Sequence, residues 1–227
     1  MPILYILAGP NGAGKTTFYL TGVEEGFIDK TIPFINADLI IKNELGTYTE
    51  ENFIRAESIV RERIGKHISN KENFMIESNL AKQSDYNWLN SIKAHGYDII
   101  IYFLCTNNIN INKHRIKKRV KEGGHDVPEN IVENRYRVAL IYLKTEILNF
   151  NQVHLIENSG RRPEEIAVVK EGKVVKKKDN SIEWVNKVLY LAERLRDKEL
   201  NFLFAPQKFH LNTSLPSNKK SASKFAA

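Results

Sequence analysis

Cysteine is almost absent from this chain: Cys105 is the single thiol in 227 residues. One cysteine excludes an intramolecular disulfide, and its place at the end of an apolar run reads as a small buried side chain and not as a nucleophile. Long apolar runs are missing as well. Nothing approaches the roughly 20 residues that span a bilayer, and no basic segment precedes the short apolar stretch at the N-terminus, so neither a membrane helix nor a secretion signal is expected. No two of the six histidines stand four apart, which argues against a transition-metal site on a helix. There is no Asn-Lys-x-Asp element for reading guanine, no internal repeat, and no linker before residue 205. What remains is a chain 42% hydrophobic, long enough for one α/β domain with a sizeable core, expected in the cytoplasm.

Excess acid is also lacking, and the net charge is +7. Residues 1–160 carry 19 basic and 19 acidic side chains, residues 161–205 carry 11 and 8, and residues 206–227 carry 4 and none. The body is therefore neutral, and the excess gathers in Lys170 to Lys178 and in a tail whose composition reads as disordered. A solvated basic face accounts for this pattern, and nucleic acid is not the expected partner.

Against these absences stands Gly9-Pro10-Asn11-Gly12-Ala13-Gly14-Lys15-Thr16, which fits G-x-x-x-x-G-K-[ST] and follows the apolar run Ile3 to Ala8. A strand, a glycine-rich turn and a helix opening at Lys15 form a phosphate-binding loop. Backbone N–H groups turn onto phosphate oxygens, Lys15 reaches the β- and γ-phosphates, and Thr16 offers its hydroxyl to Mg²⁺. The helix dipole adds positive charge at the same place.

Strand and helix patterns alternate along the rest of the chain, which predicts a parallel sheet with helices on both faces. Pro33 to Asn36 forms a short strand leading to Asp38. Thr49 caps a helix with Phe53, Ala56, Val60, Ile64 and Ile68 at helical spacing. Asn73 to Ile76 forms a strand leading to Glu77. A helix from about Asp85 buries Trp88, Leu89 and Ile92 and stops at Gly96. Asp98 to Cys105 is the most apolar strand and is expected at the centre. Lys113 to Lys121 then holds six Lys or Arg residues and His114, and Pro128 opens a helix with Ile131, Val138, Ala139 and Tyr142 on its apolar side. Together these cationic helices read as a lid over a triphosphate, spanning about 106–137. Gln152 to Glu157 is the last parallel strand. Val168 to Val175 reads as a hairpin turning at Gly172, and a final helix capped by Asn180 presents Ile182, Val185, Leu189, Ala192 and Leu195 to the core. The domain is expected to end near residue 205, with hairpin and last helix at about 166–204.

Ligands of open α/β sheets bind beyond the carboxyl ends of the strands, which singles out Asp38 and Glu77. Asp38 is either a general base toward a hydroxyl attacking the γ-phosphate or a helix N-cap. Glu77 either orients substrate or metal or satisfies backbone donors. His125, after two glycines, reads as closing its turn with a hydrogen bond.

The stretches Gly9 to Thr17, Ile35-Asn36-Ala37-Asp38, Ile76-Glu77-Ser78, Ala94-His95-Gly96-Tyr97, Arg119 to Pro128 and Asn134-Arg135-Tyr136 resemble the zeta-toxin family of P-loop kinases, from the first residue to about 160. The resemblance implies a five-stranded parallel sheet of nucleoside-kinase type, ATP and Mg²⁺ as cofactors, and a UDP-sugar such as UDP-N-acetylglucosamine as the small hydroxyl substrate. It implies that Lys15 and Thr16 hold nucleotide and metal, that Asp38 is the base, that Glu77 holds substrate or metal, and that Arg119 and Arg135 clamp phosphate. Arg115 or Arg137 could stand in for either arginine. An antitoxin protein is the partner such a family brings with it, although the sequence itself contains no sign of one. The chain departs from the family pattern at Asn79, where a second small hydroxyl residue often follows Ser78. Two further classes of function stand beside a small-molecule kinase, namely a nucleic-acid-directed kinase and a nucleotide-dependent interaction module.

Overall fold

The computed structural model describes residues 1–178 and 182–204, with side chains of the last helix described as far as residue 194. The cap expected at Asn180, the burial of Leu195 and the basic tail lie outside the described residues. In chain order the elements are β1 (Ile3–Ala8), α1 (Lys15–Glu24), β2 (Phe34–Ile35), α2 (Ala37–Ile40, continued by a π-helical turn Ile41–Leu45), α3 (Glu50–Asn70), β3 (Phe74–Ser78), α4 (Gln83–Ala94), β4 (Asp98–Cys105), α5 (Ile109–Lys121), α6 (Glu129–Glu146), β5 (Gln152–Glu157), β6 (Glu164–Lys170), β7 (Lys173–Lys177) and α7 (Glu183–Phe204).

All seven strands form one sheet in the order β2-β3-β1-β4-β5-β6-β7. The first five in that order are parallel, as expected, with β1 between β3 and β4. The hairpin adds β6 antiparallel to β5 and β7 antiparallel to β6, so the sheet has two strands more than the five anticipated. Local sequence shows a hairpin but not which edge it joins. The apolar β4 is the fourth of the seven strands, which explains why it carries no strict alternation: both of its faces are covered.

The two faces are covered unequally. One packs Leu4, Ile6, Phe74, Ile99, Ile101, Phe103, Val153 and Leu155 against apolar residues of α3, α4, α6 and α7. The other holds a smaller cluster of Leu7, Met75, Leu104 and Ile156, covered by α1 and the loop after it through Phe18, Tyr19, Ile28 and Ile32. Two helix faces differ from the expected stripes. In α6 the buried residues are Val132, Ala139 and Leu143 while Ile131 is exposed, a rotation that follows from packing on both α5 and α7. In α3 Ala56 is buried, but Phe53, one turn nearer the N-terminus, is 37% exposed because it leaves the sheet behind and borders a cavity. Cys105 is fully buried, and burial pushes its thiol pKa up to about 12. No helix among the described residues is long and apolar enough to cross a membrane.

Candidate active site

The sequence of the phosphate loop sets its geometry first. Gly9, Gly12 and Gly14 all have positive φ. At Gly9 a Cβ atom would stand 1.9 Å from the Leu104 carbonyl oxygen, so the loop can lie against β4 only without a side chain there. The loop is then gripped from outside. Asn112 Nδ2 donates to the Asn11 carbonyl at 2.7 Å, Asn158 Nδ2 to the Ala13 carbonyl at 2.7 Å, and Arg135 Nη1 to Asn11 Oδ1 at 3.0 Å. Arg115 spans the same region, donating to the Asn158 carbonyl at 2.8 Å and to that of Ala13 at 3.4 Å.

Lys15 opens α1 with its ammonium folded under the loop. It donates to the carbonyls of Gly9 and Pro10 at 2.7 and 3.2 Å and to Asn79 Oδ1 at 3.1 Å, and lies 3.7 Å from Glu77 Oε1. Burial lowers its pKa, against the opposing pull of Glu77 and Asp38. The adjacent Thr16 hydroxyl donates to Glu77 Oε2 at 2.9 Å, and Asn36 Nδ2 donates to the same oxygen at 2.6 Å. Glu77 lies within β3, one residue short of its end, since that strand runs two residues further than the sequence pattern shows. Its partners are the side chains of Lys15, Thr16 and Asn36, so the alternative role of satisfying backbone donors falls away.

Asn36 has a second duty. Its Oδ1 accepts from the Leu39 N–H at 3.0 Å and caps α2. The N-cap role considered for Asp38 therefore belongs to Asn36, and Asp38 in the first helical turn keeps its carboxylate for other partners. Those partners come from across the cavity. Arg119 Nη1 is 3.8 Å from Asp38 Oδ2, and His125 Nδ1 is 3.5 Å from Oδ1.

Arg119 and His125 belong to the α5 end and the turn that follows it. Backbone bonds close this turn, from Gly123 N to Val120 O and from Gly124 N to Arg119 O, while the His125 carbonyl accepts from Arg119 Nη2 at 3.0 Å. A Cβ at Gly124 would meet Arg119 Cγ at 2.6 Å, so the glycine allows the turn to fold onto the arginine stem. The expectation that His125 closes the turn is corrected: its carbonyl contributes, but its ring faces Asp38 and packs on Tyr48 and Phe53.

Most of these groups line one cavity of about 1040 Å³. Lys15, Thr16, Asp38, Glu77, Arg119 and Arg135 are brought together there, and Arg115 joins them. Arg137 does not: it is exposed and donates to Asn134 Oδ1 at 3.2 Å. Sequence reasoning missed the roles of Asn36, Asn112 and Asn158, and saw Asn79 without a role. Asparagines at unrelated spacings carry no signal until the fold brings them to the loop. Asn79 alone was visible, as a departure from the family pattern.

A parallel sheet with a phosphate loop after its first strand and a helical lid after its fourth defines the fold of P-loop kinases. The zeta toxin family profile matches residues 1–171, three quarters of the chain, and the protein belongs to that family. Among solved structures it is similar to the AvrRxo1-ORF1:ORF2 complex with ATP, at 14% identity and a TM-score of 0.61, over 85% of this chain and 64% of that one. It is also similar to a structure of the PezAT chromosomal toxin–antitoxin system of Streptococcus pneumoniae, at 18% identity and a TM-score of 0.55, over 88% of both chains. At these identities the likeness concerns the fold. An uncharacterized protein of Haemophilus influenzae is 38% identical over 63 residues, which is 28% of this chain and 45% of that protein. The match thus spans less than half the length of this curated relative.

Proposed function

We propose that the protein is an ATP-dependent phosphotransferase that moves the γ-phosphate to a hydroxyl of a small substrate, a UDP-sugar such as UDP-N-acetylglucosamine being the first to test. The observation that carries this reading is the position of Asp38, whose carboxylate faces two lid side chains across the cavity and is close enough to Lys15 for their charges to interact. A switch protein that only binds nucleotide has no use for a carboxylate on the acceptor side of the phosphate loop.

The residues fit the implied cofactors. Lys15 and the loop amides suit the β- and γ-phosphates, and the Thr16 hydroxyl with the Glu77 carboxylate supplies the hard oxygen donors that Mg²⁺ takes. Mg²⁺, when bound, offsets charge on the phosphate oxygens. Arg119 Nε is buried and, among the described residues, has no hydrogen-bond partner. A buried donor without an acceptor is costly, and an anionic oxygen would satisfy it. In this reading Asp38 accepts the proton of an acceptor hydroxyl, while Arg119 and Arg135 stabilise charge on the transferring group. An antitoxin protein as partner, and a location in the cytoplasm, belong to the same proposal.

The test is incubation with γ-labelled ATP and Mg²⁺ in the presence of separate pools of sugar nucleotides, nucleosides and oligonucleotides. Label should pass to a small hydroxyl compound in wild type and not in Lys15→Ala. Label in the oligonucleotide pool alone would replace this reading by the nucleic-acid-directed one.

A further inference from the structure

His125 is the one residue whose ring reaches the acceptor side from the lid without a role in the scheme above. Three neighbours fix its orientation. The Tyr48 ring lies 5.3 Å away, tilted, and the Phe53 ring 5.6 Å away, edge to face. The remaining edge presents Nδ1 to Asp38 Oδ1 at 3.5 Å, and the imidazole is 19% exposed against 36% for Asp38. Each carboxylate oxygen of Asp38 thus has its own lid partner, His125 for Oδ1 and Arg119 for Oδ2. If Arg119 turns to the transferring phosphate, Oδ2 is released and Oδ1 is still held.

We propose that His125 is a positioning residue: its Nδ1–H holds Oδ1 of Asp38 so that Oδ2 faces the acceptor hydroxyl, and Phe53 and Tyr48 keep the imidazole in that orientation. This deepens the reading of Asp38 as base and rests on it. A carboxylate that turns freely accepts a proton in few of its orientations, so a fixed oxygen raises the rate without changing nucleotide affinity. The exposure of Phe53, unexplained by the core, follows from this task.

The working form of His125 is neutral. Burial lowers its pKa, Asp38 opposes that, and Arg119 from α5 and Arg135 from α6 add to it, while Asp126 in its own turn pulls weakly the other way. Tyr48 faces the ring as well, and burial raises its pKa, so it stays neutral through the acidic and neutral range. When His125 is protonated, the imidazolium pairs with Asp38 and competes with the acceptor's proton for the carboxylate. Turnover therefore falls on the acid side as His125 takes up its proton.

Two measurements decide the proposal. In the first, the histidine ring signals are titrated by NMR in wild type and Asp38→Asn, with the His125 signal assigned from its absence in His125→Asn. The midpoint should drop in Asp38→Asn and rise in Arg119→Ala; equal midpoints in wild type and Asp38→Asn would overturn the contact, whatever Asp38 does in catalysis. In the second, release of label from γ-labelled ATP to water and to any acceptor found is followed from pH 5 to 8. His125→Ala should lower turnover about tenfold with the ATP dissociation constant unaltered. His125→Asn, whose amide nitrogen can take the place of Nδ1–H, should recover most of that loss and shift the acid limb to lower pH. An Asn variant as slow as Ala, or an Ala variant as fast as wild type, would overturn the positioning role. Loss of all transfer in wild type would reject the base reading and leave the NMR result standing by itself.

Discussion

Asp38 and the arginines around it can be separated by kinetics because they act on different parts of the reaction. Asp38→Asn keeps the shape and removes the proton acceptor, so phosphoryl transfer should fall by about 10²–10⁴ while Mg-ATP binding stays near normal. Magnesium titration of the variant supplies the control: rescue at high magnesium would make Asp38 a metal ligand and leave Glu77 as the remaining carboxylate. Arg119→Ala should lower kcat by about 10³ or more with little change in ATP affinity, since its buried Nε lacks a partner that a phosphate oxygen could supply. Arg135 already bonds Asn11 in the loop, so Arg135→Ala should lower affinity as well as rate. Cys105 offers a simpler check. Its thiol is buried with a pKa raised to about 12, so the native protein should resist thiol reagents at neutral pH. Sign follows from linkage: the unfolded thiol ionises near 8.5 and the folded one near 12, so the contribution of this one group is constant below about pH 8 and turns destabilising as pH rises through that window.

Among the elements, α7 is joined to β5 by a buried hydrogen bond in addition to its apolar face of Val185, Val188, Leu189 and Ala192. Trp184 Nε1 donates to Glu157 Oε2 at 2.6 Å, and Glu157 Oε1 accepts from the Ser159 N–H at 2.7 Å. The end of β5, which leads to the loop carrying Asn158, is thereby tied to the last helix. Trp184→Phe leaves a buried carboxylate oxygen without its donor and should cost about 1–3 kcal/mol, read from the urea midpoint. The same contact shows what sequence reading reaches. Local patterns located the seven strands and the longer helices, because alternation at two and 3.6 residues is local, but not α2 and its π-helical turn, which are too short to show a repeat. The phosphate loop, Asp38 and Glu77 were legible for a related reason: a motif or a strand end marks each. The asparagine clasps on the phosphate loop, the Trp184–Glu157 bond and the hairpin's place at the sheet edge all join residues far apart in sequence, and no local pattern encodes them. Caps were only partly legible, as Asn36 and Asp38 show: either residue type suits the position, and the geometry chose the earlier one.

For the molecule as a whole, the unliganded site is a cost that ligand removes. The buried Lys15 ammonium has a lowered pKa, so its charge works against the unliganded fold. Mg-ATP at 100 times its Kd should stabilise the protein by about 2.7 kcal/mol, or roughly 5–10 °C in Tm. Lys15→Ala should lose that shift and melt no lower than wild type without nucleotide. A large drop in its unliganded Tm would mean that Lys15 holds the loop together and is not held in readiness. The charge surplus has a structural location too. Its described share on β7, Lys173, Lys176 and Lys177, lies along the last strand of the sheet, while the other end is β2, two residues long. One border is thus too short to recruit a neighbouring strand and the other is repelled by its own kind. Lys173 and Lys177 should therefore guard that border against endless sheet growth, while Lys176 is paired with Glu165 of the adjoining strand. Replacing all three with threonine should leave the fold intact and make refolding turbid at concentrations where wild type stays clear, as light scattering would show.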